Sequence, residues 1–128
     1  MAIRVVRLGT PRTPGEGLRV GTVRRPPRGV PRTEYASRDF YDVWLPELAP
    51  SEALVKVALG ARDLRAWQNF VRRYRAEMKR PPAARLLGLL AALSKHAAFS
   101  VGCYCADEAR CHRSVLKTLL AEHGARLE

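Results

Sequence analysis

Residues 99–113 constrain the fold of this chain more than any other segment. The apolar, partly β-branched run from Phe99 to Tyr104 predicts a strand, and a helix is predicted from about Ser114, after a polar loop. A helical pattern over residues 83–95 precedes this strand, and the order helix, strand, loop, helix is typical of α/β proteins. In such proteins ligands bind where a strand ends and the next helix presents its free N–H groups.

The length of 128 residues predicts a single domain over residues 1–128, and the 47% of hydrophobic residues can build a modest core. We expect an α/β fold with a short, mainly parallel sheet flanked by helices. Residues 41–45 fit either a short strand or a helical turn. The remaining patterns predict strands over 3–8 and 18–23 and helices over 51–59 and 63–80.

The strong positive charge of the chain favours an anionic partner. Lysine and arginine number 23 against 12 acidic residues, for a formal net charge of +11. A phosphorylated or carboxylate-bearing small molecule and a nucleic acid are both compatible with this balance. Residues 24–32 form a stiff, basic, proline-rich loop, and the predicted helix 63–80 is also basic. The alternative is that much of this charge is simply solvated surface.

The sequence predicts a cytoplasmic protein without a membrane partner. The first residues carry no apolar run of signal-peptide length, and no segment approaches the 18 apolar residues that a membrane span needs. The three cysteines are an odd number and lack the spread of a disulfide framework. No feature of the sequence predicts an oligomeric state.

Three segments, taken in order, resemble a known family. They are residues 18–30 (LRVGTVRRPPRGV), residues 41–51 (YDVWLPELAPS) and residues 67–78 (WQNFVRRYRAEM). Together they are similar to the YeaO-like proteins of the domain-of-unknown-function family 488. The resemblance spans nearly the whole chain and implies the fold. The family brings no established activity with it.

The C-terminal segment departs from the YeaO-like pattern. YeaO-like members tend to carry aspartate and histidine after the last strand, whereas this chain has the run Cys111-His112-Arg113. This run is similar to the other branch of the same wider family, in which Cys-His-Arg opens the final helix. The resemblance therefore transfers no residue roles to this segment.

Thiols, imidazole and guanidinium groups gather at the predicted strand ends. Residues 111–113 lie near the start of the final helix, where a thiolate or a bound anion is favoured. The basic loop 24–32 follows the end of another strand. If the two strands are parallel neighbours, these segments converge into one pocket. We therefore predict a site for a small anionic ligand, with catalytic candidates Cys105, Cys111 and His112 and anion-binding candidates Arg24, Arg25, Arg28 and Arg113.

Two other chemistries stay open. The Cys-x4-Arg spacing from Cys105 to Arg110 is similar to a rhodanese loop for sulfur transfer, although Asp107 and Glu108 oppose an anion there. The set Cys103, Cys105, Cys111 and His112 has the ligand types of a zinc site, but Cys-x-Cys and adjacent Cys-His are unusual spacings. We therefore predict no resident cofactor and no metal ligands, and keep zinc as an alternative.

A purely structural interpretation accounts for some of the same residues. Free cysteine is among the most buried residue types, so Cys103 is expected to fill the core as a small hydrophobic residue. His112 and Arg113 are also ordinary at a solvated helix start. The rival function is a nucleic-acid-binding module without enzymatic activity that uses the basic surface.

Overall fold

A computed structural model describes residues 2–105 and 111–128 of the chain. Within this part, the strands are β1 (Ile3–Arg7), β2 (Leu18–Gly21), β3 (Val43–Trp44) and β4 (Phe99–Cys103). The α-helices are α1 (Glu52–Gly60), α2 (Leu64–Met78), α3 (Ala83–Leu93) and α4 (His112–Glu122). Short 3-10 helices cover Arg32–Glu34 and Pro46–Leu48.

The strands form one parallel sheet in the order β1-β4-β2-β3. All five residues of β4 are buried, as expected for a central strand of a sheet flanked by helices. Residues 41–45, which fit either a short strand or a helical turn, contain the two-residue edge strand β3. The predicted fold class, a small α/β protein with a mainly parallel sheet, is confirmed.

The helices follow the apolar and capping patterns of the sequence. Asp63 caps α2 by accepting a hydrogen bond from the Ala66 N–H, and Ser51 caps α1 through the Leu54 N–H. The apolar stripe of α2 buries Trp67, Phe70, Tyr74 and Met78 in the main core. No helix in the described part of the chain is both long enough and apolar enough to cross a membrane.

The last helix begins two residues earlier than the sequence pattern indicates. Ser114 is a favourable N-cap residue type, but it lies within the first turn and donates its hydroxyl to the Cys111 carbonyl at 2.8 Å. The backbone of Cys111 is extended, and its side chain provides no cap. Cys111 is therefore the residue at which the chain enters α4, and His112 is the first helical residue.

A buried ion pair joins Arg19 of β2 to Glu16 in the loop that precedes this strand. Arg19 is 1% exposed, and its Nε donates to Oε1 of Glu16 at 2.8 Å. Its Nη1 donates to the carbonyls of Thr10 and Asp39, at 2.7 and 2.6 Å. Burial raises the pKa of Glu16, but hydrogen bonds from Arg19, Ser100 and a backbone N–H outweigh it, so the pKa lies below its ordinary value.

A second, smaller core lies beyond the C-terminal ends of the strands. Leu8 follows β1, Val23 follows β2, and Cys103 ends β4. Tyr41 and Cys111 complete this cluster. Two of the three cysteines are thus packed at the edge of the sheet where ligands of parallel α/β proteins bind.

Candidate functional site

A cavity of about 320 Å³ opens at the C-terminal ends of β2 and β4. The segment after β2 contributes Val23, Arg24 and Arg25, and the end of β4 contributes residues 103–105. Helix α1 and its N-terminal approach contribute Pro50, Glu52, Val55 and Lys56, and α4 contributes His112. The cavity therefore joins four separate parts of the chain.

The sheet register brings these segments together. Strands β2 and β4 are parallel neighbours, with Gly21 opposite Gly102. The Thr22 N–H and hydroxyl both donate to the Gly102 carbonyl, at 3.0 Å each. The chain therefore leaves both strands side by side, and the first residues of the basic loop, Arg24 and Arg25, line one cavity with Cys103 and Cys105.

The thiols and the imidazole form one cluster. Three potential ligand atoms lie within 4.8 Å of one another: the Sγ of Cys103, the Sγ of Cys111 and a ring nitrogen of His112. Cys105, which is exposed, lines the same cavity as Cys103 and His112. Strand β4 ends at Cys103, so Cys105 approaches the cluster from the turn after the strand and not from the strand face.

The three thiols differ in acidity because they share protons unequally. Interactions with the neighbouring Cys103 and Cys111 thiols hold the pKa of Cys105 well below its ordinary value, and the charge of Arg113 acts in the same direction. The pKa of Cys103 is raised by its hydrogen bonds to Cys105 and Cys111 and by burial. A hydrogen bond with Cys103 lowers the pKa of Cys111, but the bond to Cys105 and burial raise it to about 11. Cys105 is therefore the most acidic of the three thiols.

His112 is held in one orientation by the sheet. Its Nε2 lies 2.7 Å from the carbonyl oxygen of Thr22, so this nitrogen carries the proton and donates it. The opposite nitrogen, Nδ1, then accepts from the Cys111 thiol at 3.8 Å. Burial lowers the pKa of His112 despite the Thr22 contact, which keeps the ring neutral at neutral pH.

Arg113 backs the turn that carries Cys105. It is 4% exposed, and its Nη2 donates to the Cys105 carbonyl at 2.9 Å. Its Nε has no hydrogen-bond partner among the described residues. A buried guanidinium with an unused donor keeps a positive charge beside the thiol cluster.

The arginines of the basic loop lie in different places. Arg24 is fixed to the cavity wall by bonds to the carbonyls of Pro50 and Ala49, both at 3.0 Å. Arg25 pairs with Glu52 at 2.7 Å on the exposed rim. Arg28 is exposed and does not line the cavity. The structure thus places Arg24 and Arg25 at the cavity and leaves Arg28 outside it.

Sequence reasoning did not single out the contribution of α1. Glu52, Val55 and Lys56 share one face of this helix at i, i+3 and i+4 spacing, and that face borders the cavity. The spacing was visible in the sequence, but it could not show which face meets the cysteines. The rhodanese-like prediction extends over residues 106–110 and falls outside the described residues.

The fold and the site together define a small parallel α/β protein with a thiol and imidazole cluster at the carboxyl edge of its sheet. The chain belongs to the domain-of-unknown-function family 488, because residues 3–124 match the family model DUF488-N3a, which is described as the active DUF488-N3 subclade. The predicted family is confirmed. No curated protein and no solved structure shows a significant match to the chain.

Proposed function

We propose that this protein binds a small anionic ligand, bearing phosphate or carboxylate, in the cavity and attacks it with the Cys105 thiolate. The observation that carries the proposal is that the exposed Cys105 lines a cavity together with Arg24, Arg25 and Lys56. The name of the matched subclade, which includes the word active, favours an enzyme over a passive binding module.

The charges around the cavity favour an anion. Arg24, Arg25 and Lys56 line it against the single carboxylate of Glu52, which is paired with Arg25. Arg24 uses its Nε and Nη2 on backbone carbonyls, and Nη1 has no partner among the described residues. A guanidinium fixed in this way can donate to a phosphate or carboxylate without losing further side-chain freedom.

Each member of the thiol cluster has a separate task in this proposal. Cys105 attacks an electrophilic centre of the ligand; a bond to sulfur forms as the bond to the leaving group breaks, and the leaving group carries away the electron pair. Cys111 donates its thiol proton to the Nδ1 of His112, and this contact keeps the Cys111 side chain oriented. Arg113 stabilises the thiolate by its charge.

Alkylation rates of Cys105 test both halves of the proposal. We would compare neutral iodoacetamide with anionic iodoacetate on the reduced, metal-free protein and identify the modified residue by peptide mass spectrometry. Relative to free cysteine, Cys105 should react faster with both reagents near pH 6, where a thiol of ordinary pKa is protonated. The cationic wall should raise the ratio of the iodoacetate rate to the iodoacetamide rate.

The basic loop and α1 supply matched variants. Arg24→Gln and Lys56→Gln should lower the iodoacetate rate with little effect on iodoacetamide, whereas Arg28→Gln removes the same charge outside the cavity and should change neither. Inorganic phosphate should slow the iodoacetate reaction of the unchanged protein. A Cys105 rate equal to that of free cysteine at pH 6 would overturn the thiolate role. Equal effects of Arg24→Gln and Arg28→Gln would overturn the anion site.

A further inference from the structure

The cluster that supplies the thiolate also has the composition and dimensions of a metal centre. We infer that Cys103, Cys105, Cys111 and His112 bind one zinc ion, with three sulfur ligands and one nitrogen ligand. Zinc binding of this kind is independent of the ligand chemistry proposed for the metal-free cluster.

The spacing of the donor atoms fits tetrahedral zinc. Bonds of about 2.3 Å to sulfur and about 2.0 Å to nitrogen hold neighbouring ligand atoms about 3.5–3.8 Å apart. The Sγ of Cys111 and the Nδ1 of His112 are 3.8 Å apart, and all donor atoms of Cys103, Cys111 and His112 fall within 4.8 Å. Cys105 lies outside this group of three, but it follows Cys103 by two residues and lines the same cavity as Cys103 and His112, so the turn that carries it can supply the fourth ligand.

The second layer of contacts prepares the histidine for coordination. A zinc-bound histidine usually donates its other N–H to a carboxylate or a carbonyl, which fixes the ring and its tautomer. His112 already makes this contact through Nε2 to the Thr22 carbonyl, and Tyr74 packs edge-on against the ring. The lone pair of Nδ1 is therefore aimed at the sulfurs before any metal binds.

The charge of the surroundings suits the same ligand set. Zinc bound by three thiolates and one neutral imidazole carries one net negative charge. Arg113 is buried beside the cluster, bonded to the Cys105 carbonyl, with its Nε unpartnered in the described part of the chain. Its positive charge offsets that of the loaded centre, which reduces the cost of burying it.

Cobalt(II) substitution and zinc titration of the reduced, full-length protein test the inference. One cobalt ion per chain should give the strong visible bands of tetrahedral cobalt and the near-ultraviolet charge-transfer absorption expected of three thiolate ligands. Zinc should displace it at one equivalent and should protect Cys105 from iodoacetamide. Octahedral cobalt spectra, or no zinc retained against a competing chromophoric chelator, would overturn the inference.

Histidine variants provide the matched control. His112→Gln should weaken zinc binding at least about tenfold, whereas His96→Gln and His123→Gln, which change exposed histidines outside the cluster, should leave it unchanged. Circular dichroism establishes that each variant is folded. If His112→Gln does not fold, Cys105→Ser replaces it as the test, because Cys105 is exposed and its substitution should weaken zinc binding without unfolding the protein. Equal affinity in His112→Gln, Cys105→Ser and the unchanged protein would contradict the assignment. Fast alkylation of the metal-free protein tests the proposed function separately.

Discussion

The Nε2 atom of His112 lies 2.7 Å from the carbonyl oxygen of Thr22, so the first residue of α4 is tied to the residue that follows β2. This contact makes one ring nitrogen a donor and leaves the other to face the Cys111 thiol at 3.8 Å. The sheet edge thus determines which nitrogen of the imidazole is available for chemistry or for metal binding.

The tautomer of His112 should be visible by NMR. In the reduced, metal-free protein at neutral pH, long-range ¹H–¹⁵N spectra should show the proton on Nε2, and His112 should titrate with a pKa below the ordinary value of 6.5 because the ring is buried. The unfolded chain protonates His112 more readily than the folded protein does. The free energy of unfolding should therefore fall as the pH drops below about 6.5. An Nδ1–H tautomer would contradict the Thr22 contact.

The buried pair of Arg19 and Glu16 should be essential for stability. Arg19→Met leaves the Glu16 carboxylate buried without its main partner and should lower the free energy of unfolding by about 3–5 kcal/mol. Arg75→Met is the matched control, because Arg75 pairs with Glu122 on the surface and its loss should cost less than about 1 kcal/mol. Urea unfolding measures both, and similar losses in the two variants would refute the difference in burial.

Acid should remove part of this stability. Hydrogen bonds hold the pKa of Glu16 below its ordinary value in the folded state, so its contribution is complete above about pH 4.5 and is lost as the pH falls further, through the folded pKa. Glu16→Gln lacks this titration. The difference in unfolding free energy between the unchanged protein and Glu16→Gln should therefore narrow from pH 6 to pH 3. A constant difference would show that Glu16 does not titrate in this way.

Two buried tyrosines should respond oppositely to loss of the hydroxyl. The Tyr74 hydroxyl donates to the Leu48 carbonyl at 2.7 Å, so Tyr74→Phe should cost about 1–2 kcal/mol. The Tyr41 hydroxyl has no partner within the described residues, so Tyr41→Phe should be neutral or stabilising. Urea unfolding of both variants checks the contrast. A loss above about 1 kcal/mol in Tyr41→Phe would mean that its hydroxyl is satisfied.

The order of helices and strands could be predicted from the sequence because its signals are local. Ser51 and Asp63 are caps whose side chains accept from N–H groups three residues later, and the stripe of α2 repeats at helical spacing. The sequence predicts the start of α4 at about Ser114, after a polar loop, whereas the helix begins at His112. The residue at the N-cap position, Cys111, has no capping side chain and gives no local signal.

Non-local packing explains what the sequence could not show. Arg19 is buried while the neighbouring Leu18 is 58% exposed, which is the opposite of the burial that their hydropathies predict. The reversal depends on Glu16 and on backbone carbonyls that only the folded chain brings together. The grouping of the cysteines with His112 is expected from their positions at a strand end and the following helix start, whereas Lys56 joins the cavity only because of how α1 packs.

The central position of β4 has a consequence for protein synthesis. β1 and β2 lie on opposite sides of β4; β1 pairs along its whole length with Phe99–Cys103, and an isolated bridge also joins Ile3 to Leu127. On the ribosome, the first two strands therefore emerge long before the strand that joins them, and until then their edges are open to other chains. His112, the cavity residue of α4, follows β4 within ten residues, so a nascent chain acquires its sheet and its thiol cluster almost together.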